Sequence, residues 1–208
     1  SGDDLQRGGQ LDPLAPPLRI ANPLNSDQQY LRPSLRASLL STLAANQGHS
    51  DGPFRLFEVG RVFHPKTGQL PEEQDMATGV LAGRRWDASW LVDDSLLDFY
   101  DAKGAVEAVL DQLGIDCEFE AFDDPIFQPG RCARVAAGKV ELGVVGEVHP
   151  VTLERFDLNP RPVALLELNL QGLLQSLGAS VRQVKTLARY PAATRDLALL
   201  VPADVSAG

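Results

Sequence analysis

Apolar and polar positions change their period several times along the 208-residue chain, and each change predicts an element. Helical spacing appears first at about residues 34–46, where Leu35, Leu39, Leu40 and Leu43 share a face. Ser34 is placed to cap this helix and Gly48 to stop it. Phe54–Val59 and Arg61–Phe63 then read as β around Gly60; Pro65-Lys66-Thr67-Gly68 is a turn, and Met76–Ala82 returns as an antiparallel hairpin partner. The clearest helix is Phe99–Leu113: Phe99, Ala102, Val106, Val109, Leu110 and Leu113 fall on one face and Gly114 ends it. Strand spacing comes next. Cys117, Phe119 and Ala121 alternate with Glu118 and Glu120. After the turn Ala137-Gly138-Lys139, the positions Val140, Leu142, Val144 and Val148 form one face, with Glu141 and Glu147 on the other. Pro150–Phe156 reads as a short helix; Ala164, Leu166, Leu168 and Leu170 alternate with Glu167 and Asn169 as a strand running into a helix that ends at Leu177. This mixture predicts an α+β fold with a mainly antiparallel sheet.

The ends differ from the middle. Residues 1–17 read as a leader, because the proline-bearing run from Leu11 to Pro17 suits neither helix nor central strand. Arg19–Leu24 is a short extended piece closed by Asn22-Pro23. Gly178-Ala179-Ser180 is a break, so one domain is expected over residues 18–180, able to fold without the C-terminal residues beyond it. Residues 181–208 read as a linker and the truncated start of a second domain, with a strand at Arg195–Val201. The stretch between carries Arg182, Lys185, Arg189 and Arg195.

Composition narrows the function classes. Nineteen basic against 28 acidic residues give a net charge of −9, which argues against a free-standing protein that grips nucleic acid broadly. No apolar run approaches the roughly 18 residues of a membrane span, and no secretory signal is visible, so a cytoplasmic setting is the default. The two cysteines, Cys117 and Cys132, make neither a disulfide framework nor a zinc site. Eleven acids and a single base, Lys103, lie between Asp93 and Asp124, which suits a solvated face better than a metal site. His49, His64 and His149 show no metal-ligand spacing, and neither a P-loop nor a nucleophile elbow is present. Phe127-Gln128-Pro129-Gly130-Arg131 puts a Pro-Gly turn beside a guanidinium, suited to hold a carboxylate or phosphate or to form a local salt bridge. Cys132, next to that arginine, is either a slightly activated thiol or a buried structural one. From residues alone, a binding or interface module is favoured over an enzyme. The rival is a self-sufficient ligase-like enzyme or ligand-binding module with a pocket near Arg131 and His149.

Several runs, in order, resemble one family: the β subunit of bacterial phenylalanyl-tRNA synthetase. They are Asn22-Pro23-Leu24 with Tyr30-Leu31-Arg32-Pro33-Ser34-Leu35, then Leu56 to Phe63, Phe99 to Gly104 with Val106-Glu107, Phe127 to Arg131, Gly146 to Pro150, and Tyr190-Pro191-Ala192 with Arg195 to Leu199. Together they span about residues 18–205. The resemblance implies an internal, C-terminal-half fragment of a longer subunit: a catalytic-like class II synthetase domain, an antiparallel sheet flanked by helices, followed by the start of a ferredoxin-like anticodon-binding domain.

It also implies a role. In the family this region is inactive and packs on the catalytic α subunit within a heterotetramer that charges tRNA(Phe) with phenylalanine, using ATP and Mg2+. The catalytic subunit follows its Gly-Arg-Val-Tyr strand with an arginine that holds the ATP α-phosphate, then an acid two positions on. Here Gly60-Arg61-Val62-Phe63 is followed by His64, Pro65 and Lys66, and Ala164 to Leu177 contains no arginine for the third class II motif. Both electrostatic clamps on ATP are therefore missing, and neither a cofactor nor a catalytic residue is expected in this chain. By the same resemblance Arg182, Lys185, Arg189 and Arg195 are the RNA-proximal patch, with a solvated linker as the alternative. The 34–46 and 99–113 helices help form the subunit interface. Leu39 and Leu43 are expected on its exposed apolar face, with weak self-association when the partner is absent.

Overall fold

Arg32 explains the first hairpin. In the computed structural model, which describes residues 7, 17–24, 29–50, 52–66, 68–87, 89–91, 93–177, 195–198, 200 and 202, strands β1 (Phe54–His64) and β2 (Glu72–Ala82) pair without a break from Phe54↔Ala82 to His64↔Glu72. Gly60 does not divide β1; it makes room. A Cβ at Gly60 would lie 2.2 Å from Nη2 of Arg32, whose guanidinium runs across the strand, donates to the Arg61 carbonyl at 2.9 Å and pairs with Glu58.

Among the described residues the sheet has six strands in the order β1-β2-β6-β5-β4-β3, all neighbours antiparallel, with β3 Glu118–Ala121, β4 Phe127–Ala137, β5 Val140–Val148 and β6 Val163–Asn169. This is the α+β, mainly antiparallel arrangement that the periodicities predict. Strand β4 departs from the sequence reading, which made its first residues a turn. The pairing runs Phe127↔Val148 and resumes at Cys132↔Gly146, so Pro129 and Gly130 bulge out of a continuing strand. A bulge accommodates the missing proline donor, and Gly130 takes the positive φ of 75° that it requires.

A second irregularity corrects the expected face of β5. Val135 pairs with Gly143 and Ala136 with Glu141, so Leu142 is an extra residue and the alternation reverses there. Val140 and Leu142 pack on one side of the sheet, Val144 and Val148 on the other. Gly143 is required by a close approach: a Cβ on it would meet the Glu167 carbonyl oxygen at 1.9 Å.

Four helices cover the sheet among the described residues. On one face lie α1 (Arg36–Gln47) and α3 (Pro150–Arg155); on the other lie α2 (Phe99–Leu113) and α4 (Leu170–Ser176). Each start has a local cause. Asp98 accepts from the Tyr100 and Asp101 amides while the Asp101 carboxylate accepts from the Asp98 amide, a closed capping box on α2. Gly114 ends α2 at φ 71°. His149 Nδ1 caps α3 by accepting from the Val151 amide, and Asn169 caps α4. Helix α1 begins one residue later than expected: the cap position is Leu35, and Ser34 accepts from the Arg36 amide while donating to Glu167. Of the α2 stripe, Ala102, Val106 and Leu110 are buried, while Val109 and Leu113 lie exposed.

Two expectations are corrected here. Leu39 and Leu43 are 4% and 0% exposed: both belong to this chain's own core with Val80, Ile126, Leu153 and Phe156, because α1 lies flat on the sheet. They form no outward patch. Arg195–Ala198 is exposed and not in a strand, since no described strand pairs with it. Among the described residues, no helix is long and apolar enough to cross a membrane.

Candidate functional site

Two glutamates interrupt apolar runs in the central strands, Glu147 in β5 and Glu167 in β6, and both are buried. A carboxylate in such a place needs partners. For Glu167 they come from α1, the residues before it and β2: Oε2 accepts from Arg36 Nε at 2.7 Å, and Oε1 accepts from Ser34 at 3.1 Å and Thr78 at 3.3 Å. Arg36 also donates from Nη1 to Asp124 at 2.7 Å and lies 5.4 Å from the Phe127 ring. Burial pulls the Arg36 guanidinium toward neutrality, but Glu167 and Asp124 outweigh it and hold the pKa above its ordinary value. This is a closed, fully partnered cluster.

Glu147 is held differently. Its Oε1 accepts from the Phe99 amide at the start of α2, and its Oε2 from Arg131 Nη1 at 2.6 Å. Arg131 remains half exposed and stands between two adjoining clefts of about 670 and 700 Å³. The first is walled by Pro150, Val151, Leu158, Pro160 and Pro162; the second by Arg85, Ser95, Asp98 and Tyr100. Arg131 is thus the predicted local salt bridge, with its remaining donors toward a cleft. His149 borders another cleft, with Asp124 and Cys132, and spends its Nδ1 on the α3 cap. Burial, then Asp124, push the Cys132 thiol up to about 12, so this is the buried structural thiol rather than an activated one.

His64 borders none of these clefts. It shares its strand face with Glu58 and Gly60, which Arg32 covers. The neighbouring cations are committed elsewhere, Arg61 to Glu73 and Asp75 and Lys66 to Glu72. Arg32, Arg61 and Lys66 thus each already meet a carboxylate, and the described residues include no group of three or more His, Cys, Asp or Glu suited to a metal ion. Of the basic patch, Arg182, Lys185 and Arg189 lie outside the described residues, and Arg195 is exposed. The acidic run is dispersed: Asp94 meets Arg84, Asp101 meets Arg85, Glu107 meets Lys103, and Glu120 meets Arg134.

Alternation alone placed Glu147 and Glu167 on polar faces. The available signal was a lone acid flanked by Val-Val-Gly or Leu-Leu, where a solvated strand face would carry several polar residues.

Residues 1–170 match the family profile described as the phenylalanyl-tRNA synthetase β-chain CLM domain. The chain belongs to that family. It is similar to proteins named phenylalanine–tRNA ligase β subunit: one from Dehalococcoides mccartyi at 36% identity, with 91% of this chain and 23% of the relative covered. Another from Syntrophotalea carbinolica is 37% identical, covering 93% and 24%. A third, from Yersinia pestis, is 36% identical, covering 95% and 25%. The chain spans about a quarter of the length of these relatives. In this CLM-family chain the Arg36–Glu167–Asp124 cluster fills that part of the sheet face with the chain's own side chains.

Proposed function

We propose that this chain is a non-catalytic domain of a phenylalanine–tRNA ligase β subunit, which packs on the catalytic α subunit and so supports ATP- and Mg2+-dependent charging of tRNA(Phe) in the cytoplasm. On this reading residues 18–180 form a class II synthetase-like domain. Residues 181–208 form a linker and the start of an anticodon-binding domain, with Arg182, Lys185, Arg189 and Arg195 near RNA. The observation that carries the reading is the family match, joined to the chemistry around His64. Phosphate binding in class II synthetases needs a planar, bidentate cation, and the position holds an imidazole, while Arg32, Arg61 and Lys66 are already paired with carboxylates. ATP and Mg2+ therefore belong to the holoenzyme, and no step is assigned to them on these residues.

The test has two arms. Mixed with the α subunit of its own source, the chain gives a stable complex in size-exclusion chromatography. Alone, it shows no magnesium-dependent ATP binding by calorimetry and no phenylalanine-dependent pyrophosphate exchange. Micromolar ATP binding by the isolated chain would overturn this assignment in favour of a ligase-like enzyme.

A further inference from the structure

Arg131 is anchored through one nitrogen and open on the others. Its Nη1 donates to buried Glu147 at 2.6 Å, and the other Glu147 oxygen accepts from the Phe99 amide. Burying a carboxylate is costly, and a partner that stays half exposed offsets little of that cost. What the pair does secure is orientation. With Nη1 held, the guanidinium is restrained and its Nε–Nη2 edge is left, two parallel donors that grip a carboxylate side-on. The bulge at Pro129-Gly130, immediately before Arg131, is the kind of irregularity that re-aims a strand residue.

The cleft of about 670 Å³ that Arg131 lines has apolar walls made by Pro150, Val151, Leu158, Pro160 and Pro162. The prolines fix the backbone that carries these walls, and Leu153 and Leu158 belong at the same time to the chain's own core. The walls are therefore preformed. Charge selects the ligand. Arg131 and Arg161 line the cleft, and so do Glu147 and Glu154, so its charged residues balance. A phosphate or nucleotide would bring two or more negative charges toward those carboxylates and nothing apolar for the walls. A single carboxylate on an apolar tail uses the open guanidinium edge and fills the cleft. We propose that this cleft binds a small monocarboxylic acid with an apolar tail, its carboxylate on Arg131 and its tail against the prolines. Glu147 is the residue that positions Arg131 for it. This site does not depend on the α-subunit packing proposed above.

Octanoate and octanol share a tail and differ in the head, so saturation-transfer NMR with both, on the full-length subunit that carries this chain, tests the site. Octanoate is expected to bind, and octanol roughly tenfold more weakly or worse. Arg131→Gln should reduce octanoate to the level of octanol, and Arg131→Lys should recover only part, because an ammonium lacks the paired edge. Glu147→Gln keeps an acceptor for the Phe99 amide but loosens Arg131, so octanoate weakens while octanol does not change; a circular dichroism melt of each variant checks folding. Equal binding of the two probes, unchanged octanoate binding in Arg131→Gln, or no octanoate binding to wild type overturns the site. Tighter octanoate binding by Glu147→Gln overturns the positioning role, since the carboxylate would then act only as a repelling charge. Octanoate binding to the isolated chain but not to the full-length subunit also overturns the site, because the rest of the subunit would then fill the cleft.

Discussion

Two glutamates in adjacent strands meet arginines on opposite faces of the sheet, and the pairs differ in one respect. The carboxylates are equally buried, Glu167 at 8% and Glu147 at 7% side-chain exposure, yet Arg36 is 15% exposed and Arg131 54%. Arg36 divides its donors between two carboxylates and lies over a ring, so its cluster is internal architecture. Arg131 uses Nη1 on Glu147 and turns toward water. The same residue types thus lock one face and leave the other addressable. What differs is the element that carries each arginine: Arg36 opens α1, which lies on the sheet, whereas Arg131 follows the bulge at Pro129-Gly130 and stays at the surface.

The largest expected effect breaks the locked side. Arg36→Met leaves Glu167 and Asp124 facing an apolar side chain, and stranding a buried charge costs about 3–5 kcal/mol. For a domain of this size that lowers Tm by about 10 °C, and adding Glu167→Leu is expected to recover part of it. A single-variant loss below 1 kcal/mol in urea melts would show that the cluster is solvated. Next comes Gly143→Ala, which drives a Cβ into the Glu167 carbonyl and forces β5 and β6 apart; about 3 kcal/mol is expected. A melt unchanged from wild type would mean that the reversal in β5 is absent. Arg131→Ala should cost only about 1 kcal/mol, because its partner keeps the Phe99 amide and a half-exposed pair contributes little. If Arg131→Ala matches Arg36→Met, the distinction between the two faces fails.

Sequence periodicity found α2 with its end at Gly114, the β1–β2 hairpin, the β3 and β6 strands and the passage from β6 into α4, because each is set by neighbours in sequence. It missed what distant residues decide. Glu167 looked solvent-facing because its arginine partner lies 131 positions away. Leu39 and Leu43 looked suited to an interface because an amphipathic stripe states that a face is buried without stating against what. The strand hidden in Phe127–Ala137 was obscured by a Pro-Gly pair that normally ends strands, and Val144 was put on the wrong face because a bulge cannot be counted from alternation. Of the candidate site, the local salt bridge of Arg131 was legible; the buried glutamates and their partners were not.

The smallest effect concerns the capping box of α2, beside the Phe99 amide that Glu147 accepts from. Burial opposes the Asp101 charge, but Arg85 and the Asp98 amide more than compensate, so its folded pKa lies below the ordinary carboxylate value. A depressed folded pKa means stability that is full above the unfolded value of about 3.9 and lost as pH falls through the folded one. Asp101→Asn removes the charge and the bridge to Arg85 but keeps an acceptor for the Asp98 amide, so the loss is about 1 kcal/mol at neutral pH. That difference should stay constant from pH 8 to 5 and shrink below about pH 4, where the wild-type carboxyl also becomes neutral. Urea melts across this range decide it: a gap between the two proteins that does not shrink as pH falls below about 4 would place the effect in the geometry of the cap, and not in the Asp101 charge that meets Arg85.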